Sequence, residues 1–106
     1  MNKRIYTNKE IQEKVALAVS KLSEEEIDKL CNKDYSKLAF KINFPLLLKV
    51  PDYFTYAQKS EAVKDKGGMN RWTWKFEFKK KGYCYAITTQ WYQRNDEYVK
   101  RWLSKF

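Results

Sequence analysis

The chain has 106 residues, of which 43% are hydrophobic and 17% aromatic, and it carries a net charge of +9. That length bounds it to a single domain, residues 1–106, large enough to bury a core without disulfide or metal staples, and the aromatic content excludes a disordered segment. Histidine is absent, which removes the commonest acid–base side chain, the Ser/His and Cys/His nucleophilic pairs, and His-based zinc sites.

No apolar run approaches the roughly 20 residues of a membrane span, so no membrane partner is expected. The opening MNKRIYTNKE turns polar and acidic where a secretory signal needs an apolar stretch, which predicts an intracellular, cytoplasmic protein. Cys31 and Cys84 have no metal-like spacing and read as reduced structural thiols.

Thr7 and Glu10 match a capping box, in which hydroxyl and carboxylate satisfy each other's backbone amides, and Ile11, Val15, Ala18, Val19 and Leu22 follow at helical spacing. This predicts a helix over 7–22. Ser23 and Glu26 form a second box that opens a shorter helix through about Cys31, burying Ile27 and Leu30. From Leu38 to Val50 the period changes to two: Leu38, Phe40, Ile42, Phe44, Leu46, Leu48 and Val50 all share one parity, which predicts a long strand, bent or at an edge where Pro45 interrupts it. Over Pro51 to Gly68 a helix starting at Pro51-Asp52, running through Tyr56, Ala57 and Val63 and stopped by Gly67-Gly68, competes with a polar loop, and the helix is favoured.

Residues 71–92 then read as an aromatic hairpin around a Lys80-Lys81-Gly82 turn. Alternation puts Trp72, Trp74, Phe76 and Phe78 on one face. A two- or four-residue loop sets Trp72 opposite Trp91, Phe76 opposite Ile87 and Phe78 opposite Tyr85; a three-residue loop pairs the aromatics with Cys84, Ala86 and Thr88 instead. The first register buries more. Asn95 is positioned to cap a last helix carrying Val99, Trp102, Leu103 and Phe106 inward. The fold class predicted is α+β: about three antiparallel strands with N-terminal helices and a C-terminal helix packed on one face.

The charge is unevenly placed. Residues 1–37 carry a net +1, residues 38–69 a net +2, and residues 70–106 a net +6. Such asymmetry suits a polyanionic partner, nucleic acid or an acidic protein surface. Lys79, Lys80 and Lys81 at the hairpin tip, with Arg71, Lys75 and Arg94, are the candidate phosphate contacts, and Tyr83, Tyr92 and Tyr98 the candidate stacking rings. This leads to the principal functional expectation, a non-enzymatic domain contacting the nucleic-acid backbone. A protein-interaction or inhibitor module docking on an acidic partner is the alternative, with the hairpin adding an edge strand to a partner sheet or to its own copy as a homodimer.

One carboxylate pattern stands apart. Pro51-Asp52 follows a predicted strand, and Glu77-Phe78-Lys79 lies on another. In outline this resembles the PD-(D/E)xK nuclease motif, although in that family the E-x-K strand runs on toward a helix rather than a tight hairpin. The resemblance covers five residues. It implies that Asp52 and Glu77 would hold a hard divalent ion, with Glu13 as a further ligand, and that Lys79 would sit near the attacking water. Apart from that resemblance no cofactor or metal is expected.

Overall fold

The computed structural model describes residues 5–105. Five helices, α1 (Asn8–Val19), α2 (Glu24–Leu30), α3 (Lys33–Phe40), α4 (Tyr56–Ala62) and α5 (Asp96–Leu103), accompany three strands, β1 (Leu47–Pro51), β2 (Trp72–Lys80) and β3 (Tyr83–Thr88). The strands form one antiparallel sheet in the order β1-β3-β2. The architecture is a small α+β fold, as composition and periodicity indicate. Among the described residues no helix is long and apolar enough to cross a membrane.

The helix starts follow local chemistry closely. Thr7 and Glu10 form the reciprocal capping box of α1, and the bonds from Thr7 hold the Glu10 carboxyl below its usual range. Ser23 accepts from the Glu26 amide at the start of α2. The first helix ends at Val19 rather than Leu22, and Leu22 is buried just beyond it.

The predicted long strand over 38–50 does not form. Its first three residues close α3, which Asn32 starts by accepting from the Tyr35 amide and which Lys41 ends in the left-handed region at φ 61°. Leu38 is accordingly 80% exposed, whereas Phe40, Ile42, Leu46 and Leu47 are buried. The shared parity of seven apolar residues spans a helix end, a loop and a strand, because Tyr35, Ala39 and Phe40 also satisfy a helical period. Pro45 lies in the loop before β1, so no ladder bond is lost to it. Buried Ser36 holds this turn of chain in place: its hydroxyl donates to the Leu30 carbonyl and accepts from the Leu46 amide at 3.0 Å.

The helix expected after Pro51 exists but starts later. Thr55 and Gln58 make a capping box, and α4 stops at Val63, before Gly67-Gly68. The N-terminal helices and α5 share one face of the sheet as expected, while α4 packs on the opposite side. Tyr85 and Ile87 belong to the main core with α1, α2, α3 and α5, while Cys84 and Ala86, pointing the other way, are equally buried. On that second face Lys59 of α4 reaches Glu77, and its backbone carbonyl accepts from the Trp74 indole at 2.9 Å.

The hairpin turn is the two-residue loop Lys81-Gly82, both at positive φ, the conformation that matches strand twist. Phe78 pairs with Tyr85 and their rings stack at 4.8 Å. Farther along, the register slips: Trp72 pairs with Thr88 and Thr73 with Ile87. Trp72 is therefore not opposite Trp91, nor Phe76 opposite Ile87. Three extra residues of β2 between Thr73 and Phe78 form an irregular bulge, and an odd insertion exchanges the two faces. Phe76 and Phe78 pack on the main core, but Trp72 and Trp74 turn to the α4 side.

Asn95 does not cap α5 with its side chain. It is buried, and its amide donates to the Phe40 and Lys41 carbonyls at 2.8 and 3.2 Å. Phe40 in turn meets Trp91 and Trp102 edge-on, at 6.0 and 5.3 Å between ring centres. Phe106 lies outside the described residues.

Candidate nucleic-acid interface

The six basic residues singled out by the sequence separate into two groups. Lys79, Lys80 and Lys81 stand at the turn end of β2, whereas Arg71 precedes its other end. The tip is occupied with the fold. Lys80 lies on the core-helix face and donates to the Leu22 carbonyl at 2.8 Å. Lys81 pairs with Glu24 at 2.7 Å, which holds that carboxyl below its usual range. Lys79 and Lys75 are exposed on the edge strand. Tyr83 carries the Lys49 ammonium over its ring at 4.1 Å.

Arg71 and Arg94 come together instead. They line a cavity of about 370 Å³ with Ile42, Asn43, Phe44, Gln90 and Tyr92. A second, more open recess of about 530 Å³, formed by Lys37, Lys41, Asn43, Arg94 and Tyr98, adjoins it and shares Asn43 and Arg94 with the first. Among the described residues no carboxylate lines either recess. Arg101 lies over the Tyr98 ring at 5.6 Å, and Lys41 approaches the same ring at 5.9 Å. The acidic opening of α5 is partly withdrawn: Asp96 is buried and accepts from the Ile5 amide at 2.8 Å.

The cleft is built by local features on both sides. One wall is the left-handed turn at Lys41 that ends α3, followed by Asn43 and Phe44. The other is the segment after β3, where the Tyr92 amide donates to the Asn95 side chain at 2.8 Å. Arg71 is fixed at the floor. Its Nε donates to Asp65 at 2.6 Å and its Nη1 to Gln90 at 2.9 Å, and its guanidinium lies over the Phe44 ring at 4.9 Å. The bond from Arg71 leads the causes that lower the Asp65 carboxyl pKa, with backbone bonds from Met69 and Gly67 adding to it. Arg71 is thus largely charge-compensated, while Lys37, Lys41, Arg94 and Arg101 make no ion pair among the described residues.

The carboxylates of the Asp52/Glu77 pattern stand on or just after strands that are not neighbours. Asp52 follows β1 and Glu77 lies on β2, with β3 between them, a backbone offset of two strand spacings or roughly 9.5 Å. Glu77 is engaged by Lys59 at 3.0 Å, which raises the lysine pKa. Glu13 faces Lys9 on α1 at 4.0 Å. Among the described residues no three His, Cys, Asp or Glu side chains converge as a metal site.

Arg71, Arg94, Tyr92 and Tyr98 were legible as candidates from charge and aromatic content. Lys37, Lys41, Asn43, Phe44 and Arg101 were not, since the first four fell within or beside the segment read as a continuous strand. No family model matches the chain, and neither a curated protein nor a solved structure matches it.

Proposed function

We propose that this chain is a small non-enzymatic binding domain that engages nucleic acid, with the cleft at Lys37, Lys41, Arg71 and Arg94 as its contact surface. The observation that carries this reading is the pair of adjoining recesses that collect cations and aromatic rings and, among the described residues, are lined by no carboxylate. Lysine and arginine side chains displace condensed counterions from phosphates, so affinity should fall with salt in proportion to the contacts made. Arg71, held by Asp65, positions the floor, while Lys37, Lys41, Arg94 and Arg101 supply uncompensated charge. Both cysteines are free thiols, which suits a chain working in the reducing cytoplasm.

Fluorescence anisotropy with labelled 20-residue oligonucleotides tests the reading. Binding at low salt is expected, with a log–log salt slope of roughly −3 for four contacts to a single strand. A Lys37→Glu/Lys41→Glu/Arg94→Glu variant should lose it. Absence of binding to single strands and duplexes alike, or unchanged binding by that variant, would overturn the proposal.

A second reading, a protein-interaction module, has its own observation. No residue of α4 is buried, and Tyr53 and Tyr56 beside and at its start are 78% and 87% exposed. Recovery of a stoichiometric protein, free of nucleic acid, from the native host at physiological salt would favour it. Loss of that partner in a Tyr53→Ser/Tyr56→Ser variant would place the contact there.

A further inference from the structure

We propose that the ligand is single-stranded nucleic acid, and that one unstacked base enters the recess walled by Phe44, Arg71, Tyr92 and Arg94. This rests on the nucleic-acid reading above and makes it specific.

Shape is the first argument. A duplex keeps its bases stacked inside and presents a convex backbone, so it meets exposed cations but cannot fill a concave recess. The recess of about 370 Å³ falls in the ~300–1,000 Å³ range of sites that enclose a small aromatic ligand. An unpaired strand can turn a base into such a space while its phosphates remain at the rim.

Chemistry is the second. Single-strand binders combine a basic track with rings or guanidinium planes on which bases stack. Here two such pairs meet in one recess from separate chain segments. Arg71 lies over Phe44 and Arg94 over Tyr92, each with 4.9 Å between guanidinium and ring centre. Tyr92 is 49% exposed, so part of its ring remains open to a ligand. Arg71 is locked in plane by Asp65 and Gln90, which leaves it a preorganised surface with little net charge to offer a phosphate.

The rim supplies the complement. Arg94 belongs to both recesses, and beyond it Lys37 and Lys41 extend the cationic surface toward Tyr98. A strand whose base occupies the first recess therefore has its neighbouring phosphates beside uncompensated cations. Asn43, at the junction of the two, has an exposed amide that can donate and accept along a base edge.

The test compares three labelled 20-residue probes by anisotropy with the full chain: oligo-dT, an abasic oligonucleotide of equal length and charge, and a duplex. Oligo-dT should bind at least about tenfold more tightly than the abasic strand, the effect expected of losing base stacking. Tyr92→Ala should erase that margin without changing the salt slope, and Tyr92→Phe should retain it. Equal affinity for oligo-dT and the abasic strand, or tighter binding of the duplex, would overturn the base-insertion proposal while leaving backbone binding intact. Failure of all three probes to bind would overturn both.

Discussion

The side-chain amide of Asn95 donates to the backbone carbonyl of Phe40, 55 positions earlier in the chain, at 2.8 Å. The same amide reaches the Lys41 carbonyl, and the Asn95 oxygen accepts from the Tyr92 amide. One buried side chain therefore clasps both walls of the cleft, joining the left-handed end of α3 to the segment that carries Tyr92 and Arg94. Replacing it by alanine leaves buried polar groups without partners, which costs about 1–3 kcal/mol. Asn95→Ala should lower the midpoint of urea denaturation by that amount. It should also weaken oligonucleotide binding, although it removes no charge.

The hairpin turn gives a prediction that separates fold from function. Gly82 has φ +84°, so Gly82→Ala should cost about 1–2 kcal/mol from the left-handed backbone alone. Lys81 sits at φ 49°, where asparagine is better tolerated, and its pair with Glu24 is exposed and screened by solvent. Lys81→Asn should therefore leave stability close to that of the parent. Its oligonucleotide affinity should fall far less than that of Arg94→Ala, measured side by side.

Acidification should loosen the cleft. The Asp65 carboxyl is held below its ordinary value, first by the bond from Arg71 and then by backbone amides. A depressed carboxylate contributes stability above its unfolded pKa and loses that contribution as pH falls through the folded one. Stability should accordingly decline below the usual carboxylate range of about 4. Denaturation midpoints at neutral and strongly acidic pH measure this, and Asp65→Asn should show a smaller difference between the two.

The carboxylates Asp52 and Glu77 supply a separate check. Because β3 lies between their strands and Lys59 holds Glu77, millimolar Mg²⁺ should not raise the thermal midpoint, since stabilisation by a ligand requires a site in the native state. Glu77→Gln should cost less than about 1 kcal/mol, the usual value of a solvent-accessible pair. A Mg²⁺-dependent rise in the midpoint that Glu77→Gln removes would revive metal binding there.

Local chemistry by itself determined several elements. The Thr7/Glu10 box, Ser23 before α2, and the Lys81-Gly82 turn act within three or four residues, where hydrogen-bond reach and φ preference decide the outcome. The Phe78–Tyr85 pair follows directly from that turn. Tertiary structure decided what these short-range signals leave open. Residues 38–50 alternate like a strand, yet Phe40 and Leu46 are buried from a helix end and a loop, since both periods satisfy the same apolar residues until packing chooses. The bulge in β2 turns Trp72 and Trp74 away from Phe76 and Phe78, a face exchange that alternation cannot register. Charge was visible as a property of the C-terminal third, but its use was not: Lys80 holds the link between α1 and α2 and Lys81 pairs with α2, while Lys41 and Arg94 line one cleft. That meeting depends on the bonds of Asn95 to carbonyls more than fifty positions away, and no local pattern encodes which distant backbone groups a buried amide will satisfy.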